Sequence, residues 1–394
     1  MAGKKTSIAR RRVLKTLAAT AVSAPFVNRG AYKLFAQSER EYSSRVIDLV
    51  GRSLVIDMLS PPEIVDITTR QDLAWNSAEW LFAADDVPVR DLEKIKRSGI
   101  TVFHTGSGIY GEDPFLAGVK HFGAWNNFLA NHAGNFMRID SPGDLEAVKA
   151  SGKIGLLLGV QQSRHFVNVT DVTYFHKIGQ RVSQLTYNSQ NMIGSGCTER
   201  GDGGLSVFGV QIVRQMNKVG MLIDVSHCGD RTTLDAIDAS SKPLAITHAN
   251  CRALVPGQPR NKTDEAIVKM AEKGGVMGIT TLRSFVRDSE PTTIDHVVDH
   301  YDHVIRLTGI EHVGIGSDVF MTGYDDMPQW AVDRLRLLYD KRMGFREKFN
   351  IEGLHSPERI FNLVEALVRR GYSDANIEAI LGGNFKRLLK TVWS

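Results

Sequence analysis

The sequence predicts an α/β fold, a (β/α)8 TIM barrel with a C-terminal helical extension, and three observations point there. Eight short apolar runs recur along the chain: 54–59, 100–105, 153–160, 182–187, 221–226, 244–249, 275–280 and 312–318. Runs apolar at nearly every position suit strands buried on both faces, as in a parallel sheet. Between them lie amphipathic stretches of helical length, such as "GVQIVRQMNKVG" and "DEAIVKMAEKGG", and eight strand–helix units make a closed barrel. A doubly wound sheet competes, but it calls for a glycine-rich phosphate turn after the first strand, and "DMLSPPEI" contains none.

The elements follow in order. "SEREYSSRVIDLVGRS" reads as a helix running into the first strand. Several helices end in glycine just before the next strand, as "KVG" and "KGG" do, which is where a left-handed cap belongs. In the C-terminal part, Ser356-Pro357-Glu358 and Ser373-Asp374 each carry the residues of a helix start. A single barrel domain over residues 45–392 is expected.

The N-terminal residues 1–36 read as a separate leader. "KKTSIARRRVLKTLAATAVSAPFV" combines a basic start, a short apolar run and small residues, the layout of an export signal. Arg10-Arg11-Arg12-Val13-Leu14-Lys15 resembles the twin-arginine signal, implying passage through that export machinery to the periplasm. An uncleaved leader would leave the protein tethered to the membrane. Pro25 disfavours cleavage after Ala24. The leader also holds six basic residues and no acids in its first fifteen positions, so without them the net charge of +4 becomes about −2. The basic balance is therefore no sign of nucleic-acid binding. The three cysteines, Cys197, Cys228 and Cys251, match no paired metal spacing and read as inert buried thiols.

Strand ends carry the chemistry in such a barrel. Reading them gives Gln161, Tyr187, His227, His248 and Asp318. Imidazoles beside a carboxylate suit zinc or a related ion. Other polar residues have blander readings. Glu199 and Asp202 belong to a solvated loop after strand four, and His104 and His165 suit hydrogen-bonded core histidines. "YDDMPQW" (324–330) is expected at the rim.

The motifs "LTYNSQN", "GLSVFGVQIVRQMNKVGMLIDVSHCGDRT", "AITHANCRALVPGQPRN", "GGVMGI" and "HVGIGSD" resemble the membrane (renal-type) dipeptidase family of metallopeptidases. The closing "LVEALVRRGYSDANIEAILGGNFKRLL" is similar to that family's C-terminus. The resemblance implies an amidohydrolase-like barrel, a two-zinc centre and hydrolysis of dipeptides. It places His227 and His248 as ligands of one zinc and Asp318 as a ligand of the other. It also assigns Arg260, with Asn261 beside it, to the substrate carboxylate. Four positions depart from the pattern. Leu59 and Pro61 stand where a histidine and an aspartate ligand belong, Gln161 replaces a bridging glutamate, and Tyr187 replaces a histidine.

Leu and Pro side chains cannot bind metal, and an amide is a poor bridge between two dications. One ion is therefore expected, on His227 and His248 with Gln161 or Asp318 as third ligand. Asp318 is then the candidate base, and Tyr187 the donor to a developing oxyanion. The expected function is an exported metal-dependent hydrolase of a small peptide or amide, possible as a homodimer. Two alternatives stay open: altered chemistry in maturing a periplasmic metabolite, and a non-catalytic protein holding an anionic ligand at Arg260.

Overall fold

The computed structural model describes residues 30–34, 40–62, 89–109, 111–321, 323–338 and 343–394. The expected leader falls mostly outside the described residues. The chain divides into two units, Met1–Ile47 and Asp48–Ser394. In the first, Ala31–Tyr32 pairs antiparallel with Tyr42–Ser43. The second is the barrel.

Its strands all pair in parallel. Ile56–Asp57 is the first and Val102–His104 the second. The third is broken in two, Ile154–Leu157 and Gly159–Val160, with Leu158 between. Its first half pairs with the second strand and its second half with the fourth, Val182–Gln184. Leu222–Asp224, Ala245–Ala249, Val276–Ile279 and Val313–Ile315 follow as five to eight. Ile315 then pairs with Asp57, which closes the ring at eight. Phe136–Arg138 adds one strand outside it, against Ile154–Leu156. Each predicted apolar run contains one of the eight.

Two buried aspartates fasten neighbouring strand ends. Asp57 Oδ1 accepts from the backbone N–H of Ser317 (2.9 Å), and Oδ2 accepts from the Ser317 hydroxyl (2.5 Å). This ties strand one to strand eight. Asp224 does the same between five and six, accepting from Thr247 N–H (3.1 Å) and Thr247 Oγ1 (2.7 Å). In a low-dielectric interior each bond is strong, and leaving either carboxylate unpaired would be costly.

The N-terminal end of the barrel is filled from the C-terminus. The helix Asn384–Trp393 sets Phe385, Leu388, Leu389 and Val392 among residues that open the strands, including Val182, Leu222, Ala245 and Val276. Gly382 precedes it because a Cβ there would lie 1.9 Å from the Leu54 carbonyl oxygen. Caps largely follow the sequence. Ser373 accepts from Asn376 N–H, and Gly220 and Gly274 adopt positive φ after their helices. The helix expected from Ser356 begins instead at Arg359, with Glu358 in the capping position.

Candidate active site

At the opposite end, the strand termini form a narrow pocket of about 40 Å³. Gln161, Tyr187, His227 and Asp318 are among its lining residues.

The two imidazoles meet at its edge: His227 lines the pocket, and His248 is buried behind it. His227 follows strand five and His248 lies within strand six, where the register shifts between Ile246 and Ala249. Such irregularities re-aim side chains. The shift is permitted by Gly278 and Gly316, whose Cβ atoms would lie 2.1 and 1.9 Å from the Thr247 carbonyl oxygen. As a result, His227 Nε2 and His248 Nε2 stand 3.0 Å apart.

Their outer nitrogens decide what that contact is. Thr247 Oγ1 donates its one proton to Asp224, so it accepts from His248 Nδ1–H at 2.7 Å. His227 Nδ1 lies 2.6 Å from Asn188 Oδ1, which also accepts from the Cys197 thiol. With the Asn188 amide in this orientation both rings carry their proton on Nδ1, which leaves a lone pair on each Nε2. Burial holds both pKa values well below 6.5, and the adjacent Arg260 cation lowers them further, so both are neutral at pH 7. Two lone pairs at this distance repel unless a cation lies between them. Two nitrogens on one tetrahedral zinc are roughly 3.3 Å apart, so the pair fits a shared ion. Tyr187 stacks on His227, with ring centroids 4.1 Å apart, and fixes its plane.

The donor set brought together here ends with these two nitrogens. Leu59 and Pro61 line the pocket and present only hydrocarbon side chains. Among the described residues no third His, Cys, Asp or Glu completes a metal-holding group. Asp318, expected as a ligand, lines the same pocket without forming such a trio. It sits at φ 57° with its N–H donating to Leu59 O (2.8 Å). Burial raises its pKa to about 7, with Arg260 opposing and Asp57 and Asp224 adding to the rise. Gln161 directs its Nε2 to Gly106 O (2.9 Å), leaving Oε1 as its one potential donor to a metal.

Arg260 and Asn261, expected at the substrate carboxylate, stand behind the pocket lining. Arg260 is fully buried, and its two Nη atoms donate to Ser226 O and His248 O, each at 2.6 Å. The fork clamps the two histidine-bearing strand ends and is not presented to a ligand. Asn261 Nδ2 donates to Phe285 O, and neither residue lines the pocket. His104 donates from Nδ1 to Met58 O and its Nε2 abuts Gly159, while His165 packs among Phe122, Phe166 and Phe175. Glu199 and Asp202 bond to loop and helix-start N–H groups. All three cysteines are free thiols, and burial raises the pKa of each, that of Cys228 to about 11. Tyr324 joins the rim as expected. Sequence reading missed Asn188, Thr247 and Asp224, the residues that orient the imidazoles. An aspartate inside the apolar run "LIDVS" was the available signal.

A model of the membrane dipeptidase family, peptidase family M19, matches residues 90–339. Dipeptidase tcpJ of Claviceps purpurea is 30% identical over 63% of this chain and 53% of its own length. Dipeptidase verJ of Clonostachys rogersoniana is 32% identical, with 56% of its length covered. The chain thus spans about half the length of these curated relatives. Among solved structures, an amidohydrolase from Pseudomonas aeruginosa superposes with a TM-score of 0.73 at 30% identity, covering 88% of this chain and 99% of that one. A metallopeptidase from Rhodobacter sphaeroides, bound to a phosphinate mimic of L-Ala-D-Ala, gives 0.67 at 19% identity over 86% of this chain and 99% of its own; it shares the fold.

Proposed function

Because the chain belongs to the membrane dipeptidase family, we propose that it hydrolyses a small amide at the barrel mouth using a single divalent ion, zinc by preference. The observation that carries this reading is the 3.0 Å approach of the Nε2 atoms of His227 and His248. His227 and His248 would hold the ion, with water and substrate completing its coordination. When bound there, zinc supplies a Lewis acid and brings the pKa of its water to about 7.

The chain's own groups do the rest. Asp318 lines the same pocket, and its carboxylate is the group placed to take a proton from the attacking water and return it to the leaving nitrogen. Tyr187 lines the same pocket with a hydroxyl suited to donate to the developing oxyanion. Thr247 and Asn188 keep the imidazoles in the ligating tautomer.

Metal analysis of the purified, zinc-replete protein tests the proposal. About one zinc per chain is expected, lost in both His227→Ala and His248→Ala. Substoichiometric zinc unchanged by either substitution would remove its basis. Export is part of the same proposal and rests on the arginines at 10–12. Replacing Arg10, Arg11 and Arg12 with lysine should retain the protein in the cytoplasmic fraction, and unchanged fractionation would exclude that route. Among the described residues no helix is long and apolar enough to cross a membrane.

A further inference from the structure

Asp318 holds a backbone conformation that residues with a side chain rarely adopt. Its φ is 57°, and a left-handed residue other than glycine persists only where its surroundings over-determine it. Those surroundings are a web of bonds between the ends of strands one and eight. Ahead of Asp318, the N–H and hydroxyl of Ser317 both donate to the Asp57 carboxylate. At Asp318 itself the N–H donates to Leu59 O (2.8 Å). Just past it, Val319 O accepts from the Ser60 hydroxyl (3.2 Å).

One cation gathers both sides of this web. Arg359, the first residue of the helix Arg359–Arg370, is 1% exposed and stands behind the pocket lining. Its Nη2 donates to Ser60 Oγ (2.6 Å) and lies 3.6 Å from Asp57 Oδ2. Its Nη1 reaches Phe320 O and Met321 Sδ, each at 3.5 Å. Ser60 gives its one proton to Val319 O and so accepts from Arg359. The two bonds therefore run in series from the guanidinium to the carbonyl one residue past Asp318. Among the described residues Arg359 is also the ion-pair partner of Asp57, a buried carboxylate that needs one. A planar fork suits this crossing, because it offers several donors in fixed directions where an ammonium is a single point.

We propose that Arg359 is the positioning residue for Asp318. It locks residues 57–60 against residues 317–321 and so aims the Asp318 carboxyl into the mouth without touching substrate. The catalytic consequence rests on the reading of Asp318 as the base.

Three variants of the full, zinc-replete chain test this: Arg359→Met, Ser60→Ala, and Asp57→Asn combined with Arg359→Met. Turnover of Gly-Ala, Ala-Ala and N-acetylalaninamide is measured beside zinc content and a crystal structure of each variant. Arg359→Met should lower kcat about 100-fold and leave KM and zinc content within about twofold, as a misaimed group does. Its Asp318 should leave the left-handed region while His227 and His248 stay in place. Ser60→Ala removes one hydroxyl, should cost about tenfold in kcat, and serves should Arg359→Met fail to fold. The paired variant removes both charges, yet kcat should stay low there because the link through Ser60 is still missing. Return of kcat to the wild-type value in the paired variant would reduce Arg359 to a counter-ion and overturn the proposal. So would an unmoved Asp318 or an unchanged kcat in a folded variant, or a loss expressed in KM or zinc alone. A wild type that turns over none of the amides would refute the hydrolytic reading instead, and the place of Asp318 in the variant structures would still decide the proposal.

Discussion

Asp318→Asn should make the metal-free protein more stable at neutral pH, although it removes a group proposed to be catalytic. Burial lifts the folded-state pKa of Asp318 from 3.8 to about 7. Between those values the folded chain keeps a proton that the unfolded chain has released. Stability therefore falls as pH rises through this window, by ~1.4 kcal/mol per unit at most, and levels off above the folded pKa. Across the whole shift the loss is ~4 kcal/mol, of which ~2 kcal/mol falls between pH 5 and 7. Asparagine cannot ionise, is close to isosteric, and tolerates the positive φ of this position. The assay is urea unfolding of chelator-treated wild type and variant at half-unit steps from pH 5 to 8. Groups titrating alike in both proteins cancel in the difference. The variant should gain on the wild type by ~2 kcal/mol from pH 5 to 7, and by less than about 0.5 kcal/mol more to pH 8. A difference independent of pH would refute the claim that a half-buried, proton-retaining carboxyl stands at the mouth.

Three further outcomes follow from the same geometry. Gly316→Ala should cost about 3 kcal/mol or more in urea unfolding, since the new Cβ would lie 1.9 Å from the Thr247 carbonyl oxygen; a loss below about 1 kcal/mol would mean the close approach of strands six and eight is not required. Thr247→Val removes the acceptor from His248 Nδ1 and should weaken zinc binding about 10- to 100-fold, measured by competition with a chromogenic chelator. Unchanged affinity would show that the tautomer is set elsewhere. Restoring zinc to chelated protein at 100 times its Kd should raise unfolding stability by ~2.7 kcal/mol, and His227→Ala should abolish that gain; a gain that survives would place the ion at another site.

Much of the barrel was legible in sequence because a strand buried on both faces writes itself as an uninterrupted apolar run. Every run from 54–59 to 312–318 holds a strand, and those at 221–226 and 244–249 lead to the two histidines that meet. Less local features were not visible. That Leu158 divides strand three between two neighbours depends on ring closure. The role of Arg260 depended on which carbonyls its fork could reach after folding; from sequence a guanidinium beside a loop suggests ligand capture as readily as a structural clamp. Asp57 and Asp224 look like interruptions of apolar runs, and their meaning rests on serine and threonine partners on adjacent strands. The helix start at Arg359, three residues beyond Ser356, shows how tertiary packing moves an end that capping chemistry only suggests.

The fastening of strand one to strand eight by Asp57, and of five to six by Asp224, makes frame and workshop separable. Because the ring is riveted from beneath, what projects above it is free to drift. Positions 59 and 61 carry hydrocarbon while the hoop stays closed, so the groups at the mouth can be exchanged with the skeleton left standing.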